Sequence, residues 1–202
     1  MSDTRNVVRP ALDLAWVESM GGPLIVVPVS ALHSWGGCTE DGVIVGGTDQ
    51  SDDYDRACEV ADLAEVISLG GHGDISALVL GDEPATTCYL PESRAFVRWL
   101  AADSEAELLA AAKAVLNDPA TPWSECGLWE TDGPAVLMDS ATAGNDLGAP
   151  YPDGRGEPEQ APVPLPAGRW RVRAFHRWAG ESAWVGVVQL LPEADARSTT
   201  AS

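Results

Sequence analysis

Between Arg169 and Arg177 the chain alternates without a break. Trp170, Val172, Ala174 and His176 fall on one side; Arg169, Arg171, Arg173, Phe175 and Arg177 fall on the other. Side chains of an extended chain switch faces at every residue, so this pattern specifies a strand with one face in a core and one toward water. Ala179-Gly180-Glu181 supplies turn composition, and Ala183 to Leu191 returns as a second strand. Two such strands joined by a short turn pair antiparallel, which commits the fold to antiparallel sheet.

The rest of the chain reads as more sheet around one strong helix. Leu12, Leu14 and Trp16 alternate with Asp13, Ala15 and Val17, and Gly21-Gly22-Pro23 separates them from the apolar run Leu24–Val27. This predicts a first hairpin. Ala64–Leu69 and Ile75–Leu80 are strand-length runs flanking the turn-like Gly70–Asp74, and Phe96–Leu100 is another. Glu125–Glu130 and Ala135–Ser140 are expected to pair across Thr131-Asp132-Gly133-Pro134. A helix is predicted over 103–116. Ser104 and Glu107 stand at capping-box spacing, and Leu108, Leu109, Ala112, Val115 and Leu116 share one face. A shorter helix is expected over about 52–60, because acids at Asp52, Asp53 and Asp55 suit the positive end of a helix dipole. Residues 141–168 hold six of the 15 prolines and predict a long exposed loop. The fold class expected is α+β, mainly antiparallel, with about nine strands. One domain over 12–192 is expected, with tails at 1–11 and 193–202.

Charge narrows the function. The 202 residues carry 12 Lys and Arg against 31 Asp and Glu, a formal net charge of -19. Such a field repels nucleic acids and anionic membranes and attracts basic surfaces. The segment before Ala11 carries Asp3, Arg5 and Arg9 and lacks the apolar stretch of a signal peptide. The longest apolar run, Pro23–Leu32, is broken by Pro28 and is too short to span a bilayer. Cys38, Cys58, Cys88 and Cys126 are unevenly spaced and form no C-x-x-C. The expectation is a cytoplasmic protein with reduced thiols, monomeric or a small homo-oligomer when free.

Catalytic and metal motifs are not found. Zinc sites need close Cys or His pairs, and His72 with Asp74 in a glycine-rich turn does not make one. Asp49, Ser51 and Asp53 imitate the start of a calcium loop, but Tyr54 and Val60 occupy the positions that require Gly and Glu. There is no G-x-S-x-G elbow, Walker loop or dinucleotide fingerprint. No cofactor is expected. A small hydrolase would need a Cys–His or Asp–His pair assembled in space from Cys38, Cys58, His33, His72 and His176. An acidic scaffold is the other alternative.

Two surface features remain. The arginines on one face of the 169–177 strand either form an anion site or pair with carboxylates on neighbouring strands; the acidic excess favours pairing. Of eight tryptophans, Trp35 sits in loop-like sequence and Trp129 adjoins Glu130, which makes both candidate binding anchors. Acids on loops and helix starts reach outward, so Asp52, Asp53, Asp55, Asp82, Glu83, Glu130 and Asp132 complete the expected partner-binding set.

Six strings occur in order: Trp16-Val-Glu-Ser-Met-Gly-Gly-Pro-Leu24, Asp53-Tyr-Asp-Arg-Ala-Cys58, Ala77-Leu-Val-Leu-Gly-Asp-Glu-Pro84, Phe96-Val-Arg-Trp-Leu100, Leu137-Met-Asp-Ser-Ala141 and Leu165-Pro-Ala-Gly-Arg-Trp-Arg-Val172. Together they resemble the immunity protein 21 family of bacterial polymorphic toxin systems, over about residues 13–192. The resemblance implies a protein that binds and neutralises a cognate toxin encoded beside it, without catalysis or cofactor. Gly37–Ser51 and 141–168 are the stretches where partner choice is expected.

Overall fold

The computed structural model describes residues 14–39, 52–69, 75–81, 83–179 and 183–193. In chain order the elements are β1 (Trp16–Val17), β2 (Leu24–Pro28), a 3-10 helix (Val29–Ser34), α1 (Asp53–Cys58), β3 (Glu65–Leu69) and β4 (Ile75–Val79). Next come β5 (Thr87–Leu90), β6 (Ala95–Ala101), α2 (Glu105–Asn117), β7 (Ser124–Thr131) and β8 (Ala135–Asp139). A second 3-10 helix (Gly144–Asp146), β9 (Gln160–Val163), β10 (Gly168–Ala179) and β11 (Ala183–Pro192) complete the list. The predicted tail 1–11, most of Gly37–Ser51, the Gly70–Asp74 turn, Asp82 and the Gly180-Glu181 turn lie outside the described residues. Of the tail expected at 193–202 only Glu193 is described, and its N–H donates to the Arg169 carbonyl at 2.8 Å.

The strands form two antiparallel sheets, β1-β5-β6-β11-β10-β7 and β3-β4-β2-β8-β9, so the α+β, mainly antiparallel expectation holds. The two sheets face each other. Trp170, Val172 and Ala174 from β10 meet Leu24, Val26, Leu78 and Leu137 from the other sheet in the central core. The far side of the five-stranded sheet carries Ile25, Val27, Val79 and Met138, covered by Ala31 and Trp35 of the first 3-10 helix region and Ala57 of α1. The far side of the six-stranded sheet carries Val97, Val185 and Val187, covered by Leu108, Ala112 and Val115 of α2. The order is thus helix, sheet, sheet, helix, and burial on both faces explains why β2 shows an unbroken apolar run instead of alternation.

The expected β10–β11 hairpin forms, its register running from Trp170 opposite Pro192 to Ala179 opposite Ala183, so Ala179 belongs to the strand and not to the turn. β3 and β4 pair as expected. Two predicted pairings do not form. β1 pairs with β5, while β2 lies in the other sheet between β4 and β8. Gly21-Gly22-Pro23 carries the chain across the sandwich, steered by the Asp139 carboxylate, which accepts from the Met20 N–H at 2.5 Å. Likewise β7 joins β10 and β8 joins β2 and β9. β8 is apolar on both faces and needs a covered, central position, whereas β7 exposes Leu128 and Glu130 and suits an edge.

The 141–168 stretch is not all loop. It contains the second 3-10 helix and β9, where Pro162 sits in an edge strand that needs no donor on its outer side. Helix α2 starts at Glu105, two residues after the predicted start. Ser104 accepts from the Glu107 N–H at 3.3 Å, but the Glu107 carboxylate takes the Asp103 N–H at 3.2 Å, so the reciprocal half of the capping box is displaced by one residue.

Candidate partner interface

Trp35 and Trp129 are core residues, which corrects their expected role as surface anchors. Their exposures are 1% and 0%. An indole is a large apolar body with one donor, and it is buried readily when that donor finds a carbonyl. The Trp35 indole N–H donates to the Ser140 carbonyl and that of Trp129 to the Ser76 carbonyl, each at 3.0 Å. Both therefore lie beneath the surface that the acids were expected to form, and they hold it in place. Trp35 ties the end of the first 3-10 helix to the end of β8. Trp129 ties the start of β4 to β7.

The acids at 52–55 build α1. Asp52 is its N-cap, accepting from the Asp55 N–H at 2.8 Å, and the Asp55 carboxylate accepts from the Asp52 N–H at 3.3 Å. The sequence predicts a helix start here from its acidic first turn, and the structure adds the reciprocal capping box. Asp52 also accepts from the Thr39 N–H at 2.8 Å and the Thr39 hydroxyl at 3.2 Å. Partial burial acts to raise the Asp52 carboxyl pKa, and the N–H groups of Thr39, Asp55 and Tyr54 with the Thr39 hydroxyl outweigh it, so the carboxyl sits below its ordinary value. Asp53 accepts from the Gly36 N–H at 2.7 Å and pairs with Arg56. These carboxylates are half-buried and fixed by the backbone around them.

Glu130 and Asp132 stand at the other end of the same 3-10 helix. The Ser30 hydroxyl donates to Asp132 at 2.9 Å, and Glu130 is 76% exposed at its side chain with Arg169 at 3.8 Å. Ser30 to Gly36 spans about 12 Å at the roughly 2 Å rise per residue of a 3-10 helix. Two acid groups drawn from distant sequence, Asp52, Asp53 and Asp55 on one side and Glu130 and Asp132 on the other, thus flank one short element. Glu83 does not join them. Its carboxylate lies 3.4 Å from His176 Nε2, eight residues along β10 from Gly168, which is about 26 Å of extended chain. Asp82 lies outside the described residues.

The sequence reading missed the apolar part of this surface. Val29 is 49% exposed and Ile75 40% exposed. Ile75, Pro28 and Ala167 line a cleft of about 270 Å³ with Glu130, Thr131 and Asp132. Val29 and Ile75 sit at the ends of apolar strand runs, and nothing in their local sequence separates them from the buried residues beside them.

Three of the four arginines of the stripe have partners within the chain. Arg169 reaches Glu193 at 3.2 Å, Arg171 reaches Glu125 at 3.6 Å, and Arg173 donates to Gln189 at 2.6 and 3.0 Å. The thiols show no activation. Burial raises Cys88 to about 12, and burial is also the largest cause raising Cys38, Cys58 and Cys126. A nucleophilic cysteine needs the opposite shift. His176 is largely buried, as its strand face predicts, and its ring lies 5.4 Å from that of Trp184. Among the described residues no group of three or more His, Cys, Asp or Glu side chains is arranged to hold a metal ion, and no helix is long and apolar enough to cross a membrane.

No curated protein and no solved structure matches the chain. The family model for Immunity protein 21 matches residues 15–183, from β1 to the first residue of β11. That span takes in every strand except β11, of which it reaches only the first residue, together with both α-helices and the two acid groups around the first 3-10 helix, and on it the chain belongs to the Immunity protein 21 family.

Proposed function

We propose that this chain acts in the cytoplasm, where it binds and neutralises a cognate toxin with a basic, nuclease-type surface. The match to an immunity-protein family across residues 15–183 carries the first half of this reading. The net charge of -19 supports the second, because a protein built to grip nucleic acid presents a cationic face that an acidic partner can cover. Binding is assigned to the surface around the first 3-10 helix. Asp52, Asp53 and Asp55 at one end act as long-range attractors, which speed encounter more than they deepen affinity, and Glu130 and Asp132 at the other end make the close contact. Most of these carboxylates are held by neighbouring donors, so little side-chain entropy remains to be lost on docking.

The test is co-expression with the toxin domain encoded by the neighbouring gene. Cells carrying both are expected to survive at inducer levels that kill cells carrying the toxin alone. Equal killing in the two strains, with the immunity chain present and folded, overturns the proposal.

A further inference from the structure

The buried positions of Trp35 and Trp129 leave the acid-flanked surface without the aromatic anchor that a tight interface ordinarily needs. The cleft between Pro28, Ile75 and Ala167 takes that place. We infer that it receives one long cationic side chain of the toxin, an arginine or a lysine. The aliphatic stem lies on Ile75 and Pro28, and the charged head lies between Glu130 and Asp132. The inference rests on the toxin-binding reading above and names the group on the toxin that this surface selects.

Size, lining and rigidity carry the argument. A volume of about 270 Å³ is below the roughly 300–1,000 Å³ of small-molecule sites and suits a single inserted side chain. The lining divides into an apolar wall and two carboxylates, which is the division within lysine and arginine themselves, a methylene stem with a charged tip. The remaining polar side chain of the lining offers a cation no competition, because the Thr131 hydroxyl donates to the Gly133 carbonyl at 2.9 Å. Arg169 approaches Glu130 only at 3.8 Å and is shared with Glu193, so its hold on Glu130 is weak and exposed. Asp132 is oriented by the Ser30 hydroxyl, and the wall carrying Ile75 is fixed from below by the Trp129–Ser76 hydrogen bond. The site therefore exists before the partner arrives, and binding does not have to build it. With 31 acidic residues against 12 basic ones in the chain, the complementary partner is cationic. The exposed Val29 next to Pro28 adds apolar contact area at the rim.

The experiment measures association and dissociation of the neighbouring gene's toxin domain on immobilised wild-type chain, on Glu130→Gln/Asp132→Asn, and on Ile75→Ser. Thermal unfolding confirms that each variant is folded. Both substitution sets change exposed positions, and the amides preserve shape. The double amide variant is expected to raise the off-rate at least tenfold while changing the on-rate less than threefold, since a desolvated charge contact is read in dissociation. Ile75→Ser is expected to raise the off-rate about three- to tenfold. Wild-type binding that both variants reproduce within twofold overturns the cleft and leaves the toxin-binding reading intact. A toxin domain that the wild-type chain does not bind overturns the reading and the cleft together. If only the on-rate falls, and the fall vanishes at high salt, the acids act at a distance and the inserted side chain is refuted.

Discussion

Replacing Gly144 by alanine puts a methyl group 2.0 Å from the Leu32 carbonyl oxygen and 2.6 Å from its carbon. Both are backbone atoms, so no side chain can swing aside. Relief requires the second 3-10 helix to move away from the first by more than 1 Å. That movement stretches the hydrogen bond from the Gly144 N–H to the Trp35 carbonyl, now 2.9 Å, and strains the Trp35 indole bond to Ser140. Overpacking of this kind costs about 1–3 kcal/mol. A weakened hydrogen bond adds about 0.5–1.5 kcal/mol. The expected loss is about 3 kcal/mol in total, which for a chain of this length lowers Tm by about 6–12 °C. Urea unfolding followed by tryptophan fluorescence, with Gly148→Ala beside it, provides the assay. A Cβ at Gly148 meets nothing within 4 Å, so that control is expected to stay within about 0.5 kcal/mol of wild type. Gly144→Ala matching the control would refute the close approach of the two 3-10 helices, and with it the account of how Trp35 supports the acid-flanked surface.

Two further outcomes follow from the acids. Asp52→Ala removes the acceptor for the Asp55 and Thr39 N–H groups and is expected to cost about 0.5–2 kcal/mol, as N-cap deletions do. Because the folded-state pKa of Asp52 lies below its unfolded value, its contribution is complete above the ordinary carboxylate range near 4 and is lost as pH falls through the lower folded value. Urea midpoints from pH 6 to pH 2 are therefore expected to converge for wild type and Asp52→Asn at the acid end; curves that stay parallel throughout contradict the assignment. Changing Asp52, Asp53 and Asp55 together to asparagine, which keeps an acceptor oxygen at each position, is expected to slow toxin association several-fold at low salt and much less at high salt. An on-rate unaltered at low ionic strength removes this group from the interface.

What could be read in the linear chain is what depends on neighbours a few residues away. Alternation from Arg169 to Arg177 identified β10, because the period of an extended chain is local, and the short connection that follows made β11 one of its neighbours. Helix α2 was legible from its cap and apolar face, and α1 from its acidic first turn. The pairing of Arg169 and Arg171 with carboxylates was legible from the excess of acids, whereas Arg173 donates to the Gln189 amide instead. Tertiary structure decided the rest. Whether β2 pairs with β1 or β8, and β7 with β8 or β10, depends on which sheet can cover both faces of a strand, and that is a property of the whole sandwich. The fate of the tryptophans turned on donors finding distant acceptors: Trp129 meets the carbonyl of Ser76, 53 residues away, and Trp35 that of Ser140, 105 residues away. The acids of the candidate interface were expected as outward groups; Glu130 and Asp132 are exposed and Asp52, Asp53 and Asp55 half-buried, and their gathering at the two ends of one 3-10 helix arises because Ser30 and Gly36 each donate a hydrogen bond across the fold. Exposure of Val29 and Ile75 was invisible for the same reason: a residue at the end of a core strand is buried or bare according to what packs over it, and no local pattern records that.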